Sequence, residues 1–483
     1  MYNKLRVKVS DIQLYETTGS LYTSTWLPQG YARRYSAMTN DMTTGSPIKL
    51  IIKFMIPMCL GNIFQQFYNI ADSIVAGQFL GVNALAAIGS TGSLIFFVTG
   101  WLNGLTSGFS IWVAQWFGAK RLTRMRHFIA MSIYVCLFFV VIMTVGLLFL
   151  NEPILRLMNA PEELMGDISK YMAIIYAGLF VTCAYNALSA VLRALGDSRS
   201  PLYFLIISAV LNVFMDIGFI VFFHMGVEGC AYATVIAQGI SAVLCLIYII
   251  KKFDVLKLKK RDFKFSFFVI RKLLSLGVPM GLQFSITAIG TIIVQGAINV
   301  YGPVSMAGFS AASKIQNIIC TVFVSFGATI ATFVGQNRGA GKMDRVRKGV
   351  YMTQAMILAC SFVIMAVIYF LGKYMVLIFV DPSETDVIHA AQIYFNTVAW
   401  CYPFLGSIYL YRNALQGLGY GLVPMMGGVF ELLARWGIVA LVAGNAGFGA
   451  VCMSDPAAWI AALIPLIPYY FWTMRKEKKK EAA

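Results

Sequence analysis

From Ile48 onward the chain is a succession of apolar runs about 20 residues long or more, which constrains its fold more than any other feature. A run of that length is what a helix needs to cross the hydrocarbon of a bilayer, where every backbone polar group must be satisfied internally. The runs fall at 48–80, 86–116, 127–150, 168–192, 201–224 and 228–250, and again at 267–298, 304–334, 348–371, 388–412, 421–444 and 447–473. The pattern predicts twelve transmembrane helices in an all-α polytopic membrane protein. Only 12% of residues are charged and 59% are hydrophobic, against the roughly 25% charged residues of soluble domains.

The net charge of +17 would suit nucleic acid, but its placement argues otherwise. Of the 38 lysines and arginines, 33 lie at the two ends and in the even-numbered loops: seven up to Lys53, four at 120–126, two at 193–199, nine at 251–272, five at 338–348, Arg412, and five in the tail. The odd-numbered loops hold Arg156, Lys170 and Lys373 beside acids such as Glu162, Glu163, Asp167, Asp381, Glu384 and Asp386. The positive-inside rule then places both termini in the cytoplasm of a multi-pass cell-membrane protein. Lys314 and Arg435 are left inside spans. Nine cysteines scattered singly through apolar segments, and three distant histidines, offer neither a disulfide framework nor a structural metal site. Residues 1–45 are polar and aperiodic and are expected to be disordered, with Met38 or Met42 as alternative starts.

An internal repeat sets the architecture. V-A-Q-W-F-G-A-K-R-L-T-R-M-R (113–126) returns as V-G-Q-N-R-G-A-G-K-M-D-R-V-R (334–347), Pro57 matches Pro279, and L-R-A-L-G-D-S-R-S-P (192–201) matches L-Q-G-L-G-Y-G-L-V-P (415–424). Six helices have been duplicated, and an even number gives both copies the same orientation. Two pseudo-symmetric six-helix lobes, 46–250 and 267–473, should be related by an axis along the membrane normal, an arrangement typical of transporters. The linker 251–266, rich in lysine, should lie on the cytoplasmic surface against lipid, and 474–483 is a basic tail.

Ionisable residues in hydrocarbon are costly and mark function. Asp72 lies about 13 Å inside the end of the first helix at Gly81, taking about 1.5 Å per residue. The alternative is a helix-end residue reaching for headgroups. Asn212 and Asp216 share a face of helix five, with Asp216 about 12 Å from His224 and so at the depth of Asp72. Thr234 of helix six reaches a similar depth. No lysine or arginine of helices one to six lies at that level. Either a proton is taken up there, which burial and like-charge proximity favour, or a hard cation binds the oxygens. The simpler alternative is that each aspartate bonds locally and never meets the other.

These motifs resemble the MATE (multidrug and toxic compound extrusion) family across 48–473. The resemblance is carried by P-x14-D-x4-G in helix one (57–77), V-A-Q-x-x-G-A (113–119), L-R-A-x-G-D and its copy L-Q-G-L-G. It is closest to the DinF-like branch, whose first-lobe cation site Asp72, Asn212, Asp216 and Thr234 match. The resemblance implies antiport, with inward Na⁺ or H⁺ driving export of amphipathic, often cationic, drug-like compounds by alternating access, no cofactor, and a bend of helix one near Pro57. The carboxylates of the NorM-like branch in helices seven and ten are absent: helix seven offers Gln283 and helix ten no acid.

Met280, Phe284 and Tyr68, with Gln283, are candidates to line an adaptable apolar cavity. Lys314 would either face that cavity or pair with a loop acid. In the second lobe the repeat register carries Asn212 onto Arg435, Thr234 onto Asp455 and Asp72 onto Val294, with Glu431 one turn before Arg435. A triad of Glu431, Arg435 and Asp455 is expected, with the local Glu431–Arg435 pair as its simpler alternative. A monomer contacting lipid and no nucleic acid is expected. Two rival functions are a lipid-linked oligosaccharide flippase, which should line its cavity with several arginines, and a membrane enzyme, which should show a converging catalytic set.

Overall fold

The computed structural model describes residues 41–158, 162–442 and 447–482. The side chains of 68–73, 76, 82–83, 85–86, 90 and 480–482 fall outside the described set. Among the described residues every regular element is helical. The first half comprises α1 (Pro47–Leu80), α2 (Val82–Gly118), α3 (Leu122–Phe149), the short α4 (Asn151–Leu157), α5 (Met165–Ala177), α6 (Leu179–Ala194), α7 (Arg199–Ile217) and α8 (Val227–Lys252). The second half comprises α9 (Phe267–Asn299), α10 (Gly302–Gly339), α11 (Met343–Val376), α12 (Thr385–Val398), α13 (Tyr402–Gly417), α14 (Leu422–Val442), the short α15 (Phe448–Cys452) and α16 (Ser454–Ala482).

Among the described residues ten helices are long and apolar enough to cross a membrane, and the pair 162–177 and 179–194, bent by 45°, makes an eleventh span. The twelfth expected span, 388–412, is present as α12 and α13 joined by a 3-10 turn at Ala399–Cys401. Each of the two helices is too short to cross the hydrocarbon alone, at 14 and 16 residues. These two helices occupy the place in the second half that α5 and α6 occupy in the first. Long apolar side chains such as Phe138, Val141, Ile142 and Val145 on α3 stay exposed, as a lipid-facing stripe requires.

Two apolar cores form. One is built from residues of α1 to α6 and α8, and the other from residues of α9 to α16. Each also takes in the start of a helix from the opposite half: Ile51 and Phe54 of α1 pack into the second core, Val269 and Leu273 of α9 into the first. The start of the first half therefore lies on the second. α1 and α9 run unbroken through Pro57 and Pro279, each buried.

A further crossing of the two halves depends on glycine. A Cβ at Gly104 of α2 would lie 2.6 Å from the Met280 carbonyl oxygen of α9, and one at Gly108 would lie 2.6 Å from the Gly277 Cα. Only small residues allow backbones this close, and without a hydrophobic drive inside lipid such close packing is what associates helices.

Two segments behave differently from expectation. The disorder expected to residue 45 fails for 41–45, where Met42 and Thr43 are buried; residues 1–40 lie outside the described residues. The linker docks on α3 instead of merely resting on lipid. Asp262 is buried and accepts from Arg126 Nε at 3.2 Å, while His127 Nδ1 lies 2.9 Å from the Asp262 carbonyl. Its lysines, among them Lys257, Lys259 and Lys260, remain exposed.

Candidate functional site

The helix carrying Asn212 and Asp216 starts in the repeated motif G-D-S-R-S-P. Gly196 takes a φ of +87°, and Asp197 then accepts from the backbone N–H groups of Arg199 and Ser200 at 3.1 and 3.0 Å. That carboxylate meets donors a helix start leaves open. At its far end α7 passes into one turn of π-helix, Gly218–Phe222, beginning two residues after Asp216. Single π-turns are frequent at functional sites.

Two hydroxyls hold α7 against α8 in antiparallel register. Ser241 Oγ donates to the Phe204 carbonyl at 3.0 Å and Ser208 Oγ to the Ala237 carbonyl at 2.7 Å. Each four residues up α7 are matched by four down α8. Asn212 therefore comes level with Ala233 and Thr234, and Asp216 with Gly229 and Cys230. Asn212 and Asp216 are fully buried and Thr234 half-buried. Neither Asn212 Oδ1 nor Nδ2 has a hydrogen-bond partner among the described residues. A buried amide normally finds one, which makes Asn212 a candidate to hold a bound species.

α1 packs beside α7, with Leu202 3.6 Å from where a Gly61 Cβ would stand. Counting the same rise along both helices from that contact brings position 72 level with Val213, between Asn212 and Asp216. The side chains of Asp72 and Tyr68 lie outside the described residues.

The second half carries fixed charge at the equivalent place. Arg435 Nε and Nη2 both donate to Asp455 Oδ1 at 3.2 Å, and the Tyr394 hydroxyl donates to Asp455 Oδ2 at 2.9 Å. Arg435 Nη1 stands 3.8 Å from Glu431 Oε2. The stronger partner of Glu431 is Arg412, whose Nη2 donates to Oε1. The charge pattern groups Arg412 with the loop cations. It lies instead inside α13 and is only 6% exposed. The expected triad is thus part of a larger, neutral set of two guanidiniums and two carboxylates. Val294, the counterpart of Asp72, is buried in the second apolar core.

The cavity candidates are placed less favourably. Met280 is core, packed with Ile111, Leu276 and Trp112, because its turn of α9 is pressed against α2. Gln283 is buried and accepts from Gln416 Nε2 at 3.1 Å. Phe284 is half-buried, its Cβ 3.4 Å from where a Gly100 Cβ would stand. Lys314 is exposed, with its ammonium 5.2 Å above the Phe379 ring, so a loop aromatic takes the place expected of a loop acid.

Comparison with known proteins follows the duplication. The family model MatE matches residues 57–217 and again 279–438, two thirds of the chain in two copies. The chain belongs to the MatE family. Two relatives from Bacillus subtilis strain 168 bear the names "Probable multidrug resistance protein YpnP" and "Probable multidrug resistance protein YoeA". The first is 29% identical over 82% of this chain and 87% of its own length, and the second 27% identical over 88% and 94%. A crystal structure of MATE in the bent conformation superposes with a TM-score of 0.85 at 21% identity, covering 92% of this chain and 98% of that one. The MATE fold, a multi-pass membrane transporter of two helical halves, is the fold of this chain.

Proposed function

We propose that this protein is a secondary active multidrug exporter driven by Na⁺ or H⁺ entering through Asp72, Asn212, Asp216 and Thr234. The observation that supports it is the level of α7 and α8 at which Asn212 and Asp216 are fully buried beside Thr234, with position 72 of α1 at the same height. A carboxyl group in that position either takes up a proton and becomes neutral or stays ionised beside a cation. The coupling species would be exchanged there while the halves rock about the central axis and alternate access to amphipathic organic cations. Both termini would be cytoplasmic. The names of its relatives support drug-like substrates. The arginines a phosphate-binding flippase would need are already held by acids, Arg412 by Glu431 and Arg435 by Asp455.

Proteoliposomes loaded with dyes and drugs and placed under imposed Na⁺ or H⁺ gradients test the reading. Gradient-driven efflux is expected from the parent protein and is expected to vanish in Asp216→Asn and Asp72→Asn at unchanged insertion. Normal coupled efflux by either variant would overturn the site assignment.

A further inference from the structure

At the end of the molecule where the lysines and arginines cluster, the repeated segment meets its own copy. Gln115 Nε2 of α2 donates to the Gly417 carbonyl of α13 at 2.9 Å, and Gln336 Nε2 of α10 donates to the Ala194 carbonyl of α6 at 2.8 Å. Gln115 and Gln336 are equivalent in the repeat, and so are Ala194 and Gly417. One hydrogen bond is therefore made twice, each copy crossing from one half to the other. The helices behind it touch through backbone: a Cβ at Gly118 would fall onto the Gln336 carbonyl, and one at Gly339 onto the Gln115 carbonyl. Gln336 also accepts from the Met42 backbone N–H at 2.9 Å through Oε1, so one side chain ties down α6 and the entry to α1 together.

We propose that Gln115 and Gln336, with Gly118 and Gly339, form the clasp that holds the two halves shut at this end. The proposal rests on the alternating-access reading above. Both acceptors are the last residues of their helices, Ala194 of α6 and Gly417 of α13, whose carbonyls have no partner within the helix. When this end opens, water can take over both carbonyls and both amides, so each bond costs little to break. The clasp is uncharged, so salt does not screen it and pH does not release it. It therefore holds the closed state by a small margin that a bound substrate or cation can overcome. Simple helix capping by the glutamines would stabilise α6 and α13 without any effect on how far apart the halves stand.

Spin labels at Arg121→Cys and Asp344→Cys, exposed starts of α3 and α11, report the separation of the halves by pulsed dipolar spectroscopy. None of the nine native cysteines is exposed. Gln115→Leu and Gln336→Leu should each raise the long-distance population relative to the short one about fivefold, and together by about the product. Gly339→Ala removes no hydrogen bond, yet its methyl should wedge the same end apart and shift the distribution in the same direction. Distance distributions that stay those of the parent in all three variants would overturn the clasp. If those unchanged variants still export dye under a gradient, alternating access stands and only the clasp falls. If the parent protein exports nothing under any gradient, the transport reading falls, while a widened distribution in the variants still supports the clasp.

Discussion

Residue 212 is an uncharged amide with no hydrogen-bond partner among the described residues, and its repeat counterpart, Arg435, is a guanidinium bonded to Asp455. A guanidinium keeps its proton at any working pH, so the second half has fixed charge where the first could exchange one. Arg435→Ala should leave Asp455 held only by Tyr394, while Glu431 keeps Arg412. Removing one partner of a buried pair costs roughly 3–5 kcal/mol, so a clear drop in Tm is expected by fluorescence-monitored unfolding in detergent. Adding Asp455→Asn should recover a good part of that loss, since the stranded charge is then gone. Additive losses in the double variant would mean that the two side chains are not energetically coupled. The Arg435–Asp455 pairing followed from the repeat register alone. Arg412 did not, because an arginine five residues from a helix end reads equally well as a loop cation. Only the position of Glu431 across the helix pair decides it.

Helix positions were legible because apolar length is a coarse and strong signal, yet the breaks inside the spans were not. The span expected at 168–192 is bent by 45° between α5 and α6, and the one at 388–412 is split by a 3-10 turn just before Pro403. Nor could glycines 104 and 108 be distinguished from ordinary glycines of a membrane helix until α9 was seen against them. That crossing carries a prediction of its own. Gly104→Ala would drive a methyl into the Met280 backbone, which cannot rotate away as a side chain could. Overpacking of this kind costs about 1–3 kcal/mol, and should appear as a lower Tm with the helix content kept. Gly146→Ala on α3, where nothing stands within 4 Å, is the control and should hold or raise Tm. Equal behaviour of the two variants would refute a tight α2–α9 contact.

At the scale of the whole molecule the halves are not separate bodies, because each begins on the other. Ile51 and Leu273, both fully buried, are counterparts in the repeat and each packs into the opposite core. The duplication was plain in the sequence, whereas this exchange was hidden, since periodicity identifies a buried face but not its partner. The exchange extends outward through the residues just before α1. Met42 donates to Gln336 Oε1 at 2.9 Å, its carbonyl accepts from Asn337 Nδ2 at 3.1 Å, and the Thr43 carbonyl accepts from Lys342 Nζ at 2.8 Å. Two truncations should therefore differ sharply. A chain starting at Met38 keeps all of these bonds and is expected to express, unfold and transport like the full-length protein. A chain starting at Gly45 loses them and leaves the buried Gln336 Oε1 without its donor. Each bond to a buried amide contributes about 1 kcal/mol, and an unsatisfied buried group costs about 1–3 kcal/mol more. The shorter chain should then unfold at a distinctly lower temperature than the one starting at Met38, measured side by side in the same detergent. Equal melting temperatures would show that the segment rests on the second half without holding it.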